Sequence, residues 1–391
     1  MSSPVPLGFF AATARAGWRK GGDRRPEVAV FFAPGGARVA GRLTRHRFSA
    51  SPVQATRERL GRGRARAVVV VSGYALAGVG EEGRRLTGEM CRVCAGELGV
   101  GEEEVLPAAT GVIGLLPPEE PLLRAVAEAA RRARAGERDF DSASRAITTT
   151  DTRPKVAAKE LPGGRVILGL AKGAGMIHPS LATMLCFLFT DAGVSLPEME
   201  KALGTAVERS FHGLSVDGDM STNDTVLLLD SGKGSPGGKV DPFFSSALEE
   251  VCVFLARQLA RDGEGATKLL EVEVEGAPSE EAAREMARRI VSSPLVKAAV
   301  WGADPNWGRI LAALGTTSWP LREEELEIHL GDLCLARGGK GAPFDEEKAR
   351  ELLRGEEVFF RLRVGWGPGR ARAFGCDLTP EYVKINGSYR S

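Results

Sequence analysis

KGAGMIHPSLATML, residues 172–185, is the most informative stretch of this chain. Its glycines and its proline indicate a loop, and the apolar residues that follow, Met184–Phe189, predict a helix with Thr183 at its start. The first turn of a helix presents unpaired N–H groups and the positive end of the helix dipole. A threonine in that position is either an N-cap or a nucleophile, and the rest of the sequence has to distinguish the two roles.

Strand-like and helix-like patterns alternate on both sides of this stretch. On its N-terminal side the pattern predicts one strand and two helices, at Ala67–Ser72, Gly83–Leu98 and Pro118–Ala135. On its C-terminal side, alternating apolar and charged residues predict half-buried strands at 270–274 and 358–364. Between these strands, 279–291 is typical of a helix with a serine N-cap. The order predicts an α/β protein in which helices and sheets pack as a layered α+β sandwich.

The composition argues against several classes of protein. With 52 Lys and Arg residues against 51 Asp and Glu residues, the net charge of +1 gives no long-range field for nucleic acid or for an anionic membrane. The longest apolar runs fall far short of the roughly 18–20 residues that cross a bilayer. Six cysteines are too few for a disulfide scaffold, and no secretory signal pattern is visible. We therefore expect a soluble, cytoplasmic protein that binds neither nucleic acid nor membrane.

Familiar metal and nucleotide motifs are incomplete in this sequence. Cys91 and Cys94 form a C-x-x-C pair, but no second Cys or His pair follows at zinc spacing, which favours two structural thiols. The Gly-rich stretch 230–239 lacks the spacing of a P-loop. The acids of 217–224 resemble a calcium loop, yet Leu228 stands at the twelfth position, where an EF-hand needs Glu. These patterns predict no metal and no nucleotide cofactor.

The chemistry concentrates in clusters of Gly, Thr, Asp and Asn that are too specific for ordinary turns. The four histidines occur in no Gly-x-Ser-x-Gly elbow and no H-E-x-x-H helix, so the usual hydrolase and metalloprotease signatures are missing. The clusters are ATGVIG at 109–114, KGAGMIHPSLATML at 172–185, SVDGDMSTND at 215–224, DGEGATK at 262–268 and WGADPNWGR at 301–309. We interpret the acids and amides of 217–224, and likewise Asp304 and Asn306, as structural turns that support the site.

These clusters, in this order and followed by INGSYRS at 385–391, resemble the ornithine acetyltransferase family, also called bifunctional glutamate N-acetyltransferase or ArgJ. The resemblance covers Pro6–Ser391 and implies an aminopeptidase/ornithine acetyltransferase-like fold. It also implies a self-cleaving enzyme of arginine biosynthesis with an N-terminal threonine. The cut between Ala182 and Thr183 would give an alpha chain, 1–182, and a beta chain, 183–391, which stay together in an α2β2 heterotetramer.

The reaction that the resemblance implies is acetyl transfer from N2-acetyl-L-ornithine to L-glutamate through an acyl-enzyme on Thr183. A threonine hydroxyl is a poor nucleophile, but the α-amine freed by cleavage, with a reference pKa of about 7.7–8.0, can serve as its base. No histidine, metal or redox cofactor is then needed. Acetyl-CoA is a second acetyl donor in the bifunctional members of the family.

The resemblance also assigns the remaining site residues. Thr110 and Gly111 would form the oxyanion hole, where a hydroxyl and a closely approached backbone can donate hydrogen bonds. The substrate-binding residues would be Thr152, Lys172, Thr183, Glu264, Asn386 and Ser391. Lys172 can pair with a carboxylate and Glu264 with the ornithine ammonium. Neighbouring threonines leave the position of the Thr152 contact open by a residue or two.

This sequence departs from the family pattern at several places. It has VSGYAL at 71–76 where relatives carry Asn-Ser-Gly-Asn-Ala-Asn, and Arg45–His46 in place of a Thr-Asn pair. Ser391 replaces a commoner Thr, and Ala174 replaces Ser. These changes leave the choice of acceptor and the use of acetyl-CoA open. Two alternatives follow: an amidase or aminopeptidase of the same fold, in which water accepts the acyl group, and an uncleaved, non-catalytic binding or regulatory paralogue.

Overall fold

The computed structural model describes residues 3–19, 23–178, 184–234 and 242–388. These residues form two β-sheets with helices packed on them, which confirms the predicted layered α/β class. Within these ranges, no helix combines the length and the apolar character needed to cross a bilayer.

The first sheet has eight strands and contains both halves of the chain. Its strands are β1 (Phe10–Ala14), β2 (Val28–Leu43), β3 (Arg64–Tyr74), β4 (Val105–Val112), β5 (Lys155–Leu161), β6 (Arg165–Lys172), β7 (Leu185–Thr190) and β8 (Thr225–Asp230). The order is β4-β3-β2-β8-β7-β6-β5, with β1 beside β2. Strand β7 is parallel to β8 and antiparallel to β6, and β8 is antiparallel to β2. The two strands that follow residue 183 therefore lie between strands that precede it.

The second sheet has six strands and comes entirely from the C-terminal half. Its strands are β9 (Leu269–Ala277), β10 (Glu327–Leu330), β11 (Leu333–Arg337), β12 (Lys340–Gly341), β13 (Glu357–Arg363) and β14 (Gly369–Cys376), in the order β12-β11-β10-β13-β9-β14. The predicted strands at 270–274 and 358–364 are confirmed as β9 and β13, which pair in parallel. Glu271 and Glu273 of β9 are buried beneath Arg372, which pairs with both.

Helices cover both sheets. They are α1 (Ser51–Leu60), α2 (Gly80–Leu98), α3 (Glu119–Arg134), α4 (Phe140–Ala146), α5 (Leu196–Arg209), α6 (Phe244–Arg261), α7 (Glu280–Val291), α8 (Pro294–Trp301), α9 (Trp307–Leu314), α10 (Glu346–Arg354) and α11 (Pro380–Ser388). Helices α2, α3 and α7 match the predicted helices. Ser279 caps α7 as predicted, because its hydroxyl accepts the N–H of Ala282. Asn306 caps α9, which agrees with its structural interpretation. Cys91 and Cys94 are buried on α2.

The helix predicted at Met184–Phe189 is wrong, because Leu185–Thr190 is strand β7. Every residue of this strand is buried. Leu185, Phe187 and Phe189 pack into one hydrophobic cluster, and Cys186 and Leu188 pack into another on the opposite face. A strand buried on both faces lacks the alternation of apolar and polar residues that identifies a half-buried one. Sequence periodicity cannot separate such a short apolar run from a buried helix.

An aromatic cluster joins the two halves of the chain beneath the first sheet. The ring of Phe31, on β2, lies 5.5 Å from that of Phe187 and 4.9 Å from that of Phe189, both on β7. Phe140 of α4 lies 5.9 Å from Phe31. Because these side chains are almost fully buried, the cluster stabilises the insertion of β7 into the sheet.

We expect Phe31→Ala to lower the free energy of unfolding by about 3–5 kcal/mol, the usual cost of removing a buried phenylalanine and leaving a cavity. Urea titration followed by tryptophan fluorescence measures the change. Phe254→Ala is the matched control, because that side chain is 48% exposed on α6. Equal unfolding midpoints for the two variants would contradict the role of the cluster.

Candidate active site

A cleft of about 560 Å³ lies where the end of β4, the end of β6 and the turn before β8 meet, with α11 at its side. Five of the residues that the family resemblance predicted line this cleft: Thr110, Gly111, Lys172, Glu264 and Asn386. They come from distant parts of the sequence, and the fold brings them together. Ala182, Thr183 and Ser391, which were also predicted, lie outside the described residues.

Gly111 lets the end of β4 approach β3 more closely than any other residue would. Its φ of +133° is rarely adopted by residues with a side chain. A Cβ at this position would lie 2.2 Å from the backbone carbon of Gly73, so no side chain fits. Thr110 precedes it and is almost completely buried. The turn thus holds one hydroxyl and the glycine backbone at the wall of the cleft.

Lys172 is a buried lysine at the end of β6. Its Nζ donates to Thr110 Oγ1 at 3.0 Å and to Thr149 Oγ1 at 2.9 Å. Burial lowers the pKa of this ammonium group, and the carboxylate of Asp151 acts in the opposite direction. The amino group of Lys172 is therefore held between two hydroxyl groups at the wall of the cleft.

A second buried lysine, which the sequence analysis missed, supports this arrangement. Lys155 donates through Nζ to the carboxylates of both Asp151 and Asp262, and all three side chains are buried. Asp151 also accepts the N–H of Gly173 at 2.7 Å and the N–H of Thr149 at 3.0 Å. Burial alone raises the pKa of Asp151, but the two lysine ammonium groups outweigh it and hold that pKa below its usual range. This network fixes the backbone of Gly173, which follows Lys172, and the backbone of Thr149, whose hydroxyl accepts from Lys172.

The structure does not bring Thr152 to the cleft. Its hydroxyl and its N–H both donate to Asp262, and the residue is otherwise exposed. Thr149 and Thr150 line the cleft instead. The threonines of this run that line the cleft therefore stand two or three positions before the predicted Thr152. Sequence alone cannot fix this position, because neighbouring residues of a turn point in different directions.

Glu264 and Asn386 meet at the side of the cleft that α11 forms. The Nδ2 of Asn386 donates to Glu264 Oε2 at 2.9 Å, and the backbone N–H of Glu264 donates to the carbonyl of Ala174 at 2.8 Å. Gly175 is part of the same wall, because a Cβ there would lie 2.3 Å from Glu264 Oε2. The amide of Asn386 thus orients the carboxylate of Glu264, and the lack of a side chain at Gly175 leaves the space that this carboxylate occupies.

The acids and amides of 217–224 form hydrogen bonds with backbone groups of neighbouring segments, which agrees with their interpretation as structural turns. Asp217 accepts the N–H of Met176 at 2.5 Å and of Ile177 at 2.8 Å, and it clamps Met176 at a φ of +55°. Burial raises the pKa of Asp217 in spite of these hydrogen bonds. These two hydrogen bonds fit a structural role for Asp217, which holds the backbone of Met176 and Ile177 in place. Within the described ranges, no group of three or more His, Cys, Asp or Glu side chains is placed to hold a metal ion.

Asn223 and Asp224 connect the start of β8 to the cleft. Asn223 donates from Nδ2 to the carbonyls of Ala75 and Ala109, at 2.6 and 2.9 Å. Asp224 accepts the N–H of Met184, the residue after Thr183, at 3.2 Å. Burial raises the pKa of Asp224 well above its usual value. The sequence pattern predicts both residues in a supporting turn, but it does not indicate these partners.

The departures from the family pattern lie at different distances from the cleft. The three departures within 71–76 do not line the cleft: Val71 and Leu76 are buried in a hydrophobic cluster, and Tyr74 packs edge-on against Trp18 at 5.3 Å. His46, in contrast, lines the cleft together with Phe48, which is 79% exposed at the rim. Of these departures, His46 thus lies at the cleft wall, whereas Val71, Tyr74 and Leu76 do not.

Comparison with known proteins identifies the family. A profile of the ArgJ family matches residues 10–391. The arginine biosynthesis bifunctional protein ArgJ of Symbiobacterium thermophilum is 45% identical to this chain, and the match covers 99% of this chain and 98% of that protein. The glutamate N-acetyltransferase of Methanopyrus kandleri is 44% identical, with 97% of this chain and 100% of that protein covered.

A solved structure is also similar. The crystal structure of arginine biosynthesis bifunctional protein ArgJ from Bacillus halodurans has a TM-score of 0.50 and 40% identity, and the match covers 52% of this chain and 98% of that chain. It confirms the fold that the motifs implied. Because the family match extends over nearly the whole chain, and relatives above 40% identity match along their full length, this chain belongs to the ArgJ family.

Proposed function

We propose that this protein is a glutamate N-acetyltransferase of arginine biosynthesis that moves the acetyl group of N2-acetyl-L-ornithine to L-glutamate. The observation that carries the proposal is the single cleft in which Thr110, Gly111, Lys172, Glu264 and Asn386 converge. The names of the full-length relatives, which include a glutamate N-acetyltransferase, support the same activity.

The nucleophile in this proposal is Thr183, freed as a new N-terminus by cleavage after Ala182. Its α-amine takes the hydroxyl proton while Oγ forms a bond to the acetyl carbon. The Thr110 hydroxyl and the Gly111 N–H stabilise the oxyanion of the tetrahedral intermediate. The carbon–nitrogen bond then breaks, the proton passes to the departing ornithine amine, and an acetyl ester remains on Thr183. The amine of glutamate attacks this ester, giving N-acetylglutamate and the free threonine.

The topology of the first sheet supports cleavage without separation of the pieces. Strands β7 and β8 belong to the proposed beta chain, 183–391, and lie between β2 and β6 of the proposed alpha chain, 1–182. Backbone hydrogen bonds on both sides therefore hold the chains together after the cut. The Bacillus halodurans chain, matched over nearly its full length, spans 52% of this chain, which is close to the fraction that follows Ala182.

The charges of the cleft suit the proposed substrates. In this proposal, Glu264, oriented by Asn386, binds the ornithine ammonium, and Ser391, a few positions after Asn386 in the sequence, adds a hydroxyl. Thr149 and Thr150, which also line the cleft, offer further hydroxyl groups. Acetyl-CoA as a second donor, an α2β2 assembly and a cytoplasmic location complete the proposal, and the word "bifunctional" in the names of relatives supports testing the second donor first.

Intact-mass analysis of the purified protein tests the cleavage. We expect the wild type to give two fragments, 1–182 and 183–391, and Thr183→Ala to give only the full chain of 41.5 kDa, because the substituted residue has no hydroxyl to attack the preceding carbonyl. Thr183→Ser is the control and should still be cleaved. A wild-type preparation that remains at full length, yet releases ornithine, would rule out the N-terminal nucleophile.

Ornithine release with and without glutamate tests the acceptor. We expect a burst of about one ornithine per cleaved chain when N2-acetyl-L-ornithine is supplied alone, followed by steady turnover only when glutamate is added, since the acetyl ester awaits an amine. Mass spectrometry of the beta chain should show one added acetyl group after the burst. Steady release without glutamate would identify the enzyme as a hydrolase instead.

A further inference from the structure

We infer that Asp224 is the positioning residue for the α-amine that cleavage frees on Thr183: one of its carboxyl oxygens accepts a hydrogen bond from that amine and turns the amine's lone pair toward the threonine hydroxyl. The inference rests on the proposed function and extends it. It adds a third member to the nucleophile and base of that proposal, in the way that an aspartate orients the base of a Ser-His-Asp triad.

The carboxyl of Asp224 is completely buried, and only one of its oxygens is used. Its Oδ1 accepts the N–H of Met184 at 3.2 Å, whereas its Oδ2 has no hydrogen-bond partner among the described residues. The hydroxyl groups of Thr44 and Ser221 lie near the carboxyl, but neither bonds to Oδ2. Thr44 donates its proton to the Ser221 carbonyl at 2.8 Å instead. A buried oxygen without a donor is costly and therefore rare in folded proteins.

Asp230, at the other end of β8, shows how a structural aspartate is bonded in this fold. Both aspartates are buried, and burial raises the pKa of each. Each oxygen of Asp230 has two donors, which are the N–H groups of Gly193 and Gly232 for Oδ1 and the N–H of Val194 and the guanidinium of Arg38 for Oδ2. Asp224 differs in having one oxygen that no donor from the described residues reaches.

Chain connectivity brings the nitrogen of Thr183 close to this carboxyl. Strand β7 runs parallel to β8 with Leu185 beside Thr225, and the Thr225 N–H donates to the Met184 carbonyl at 3.1 Å. Both backbone groups of Met184 are thus held by residues 224 and 225. The α-nitrogen of Thr183 is three covalent bonds from the Met184 nitrogen, and bonds of about 1.3–1.5 Å keep the two atoms within a few ångströms. A new donor at that nitrogen is therefore near Asp224.

Cleavage would supply what the carboxyl of Asp224 lacks. In the continuous chain, burial raises the pKa of Asp224 well above its usual value, and Lys172 acts in the opposite direction. The cut turns the Thr183 nitrogen from an amide with one N–H into an amine, which becomes an ammonium group with three. An ammonium group favours the ionised form of a neighbouring carboxyl, and a carboxylate favours the ammonium in return.

The carboxylate would act without gaining a proton. In the acyl-transfer step, the neutral amine takes the hydroxyl proton while Oγ of Thr183 bonds to the acetyl carbon. Asp224 accepts an N–H of the amine before and during this step, so it orients the lone pair and stabilises the ammonium that forms. Because a carboxylate raises the pKa of an amine beside it, its removal should let the amine titrate at lower pH.

Asp224→Asn tests the inference, because asparagine has nearly the same shape and its oxygen can keep the N–H of Met184. We expect the variant to be cleaved, since Oδ2 has no donor in the continuous chain. The kcat for acetyl transfer to glutamate, per cleaved chain, should fall by about 100-fold or more. The acid limb of the kcat/KM profile should move to lower pH by about one pH unit or more. Asp224→Ser, which also lacks a carboxyl, is a second variant with the same expected results.

Reaction with cyanate measures the pKa of the Thr183 amine without turnover. The rate at which the beta-chain N-terminus is carbamylated follows the neutral amine, and mass spectrometry of that peptide over a range of pH gives its titration. The amine should titrate at lower pH in Asp224→Asn than in the wild type. Both proteins share the other titratable groups that line the cleft, so the difference reports on Asp224 alone; these groups are His46, Lys172, Asp217, Asp219, Glu264 and Tyr382.

Asp230→Asn is the matched control on the same strand. It should lower the melting temperature, because it leaves donors without an acceptor, while kcat per cleaved chain and both pH profiles stay as in the wild type. If Asp224→Asn shows that same pattern, the residue is structural and the inference is overturned. A folded Asp224→Asn that is never cleaved would also overturn it, since the carboxyl would then act before the amine exists. A wild type that is never cleaved would instead refute the proposed function itself.

Discussion

The insertion of β7 and β8 between β2 and β6 is the constraint on which the rest of the structure depends. Backbone hydrogen bonds on both sides of this strand pair fix where the chain enters β7 and where it enters β8. The start of β7 lies beside the end of β6, and the turn before β8 contacts β4. The position of the cleft therefore follows from the strand order. The aromatic cluster around Phe31 stabilises the insertion from below, and Asn223 joins the turn before β8 to the end of β4.

The buried charged side chains of this protein form a connected network. Lys155 satisfies two carboxylates, one of those carboxylates holds the backbone beside Lys172, and Lys172 faces hydroxyl groups only within the described residues. A buried charge without a partner destabilises a fold. The ion pairs of Lys155 lie behind the cleft, whereas the amino group of Lys172, which has no ion-pair partner among the described residues, lies at the cleft wall. Glu264, which also lines the cleft, is oriented by a neutral amide and has no ion-pair partner among the described residues.

Much of this arrangement could be predicted from the sequence, but not all of it. The helices and half-buried strands follow from periodicity, and Gly111 follows from the motif that contains it. Strand β7 could not be predicted, since a run that is apolar on both faces carries no period. The position of the threonine contact near Thr152 and the partners of Lys155 depend on residues more than a hundred positions away, Asp262 above all. Such contacts are properties of the assembled fold, and local sequence patterns do not encode them.

Helix α11, described above as one side of the cleft, has no buried residue of its own. The amide of Asn386, on this helix, nevertheless orients the carboxylate of Glu264. The direction in which that carboxylate points thus depends on how firmly an exposed helix docks. A substitution that weakens the docking of α11 would alter the cleft without touching any of its buried side chains.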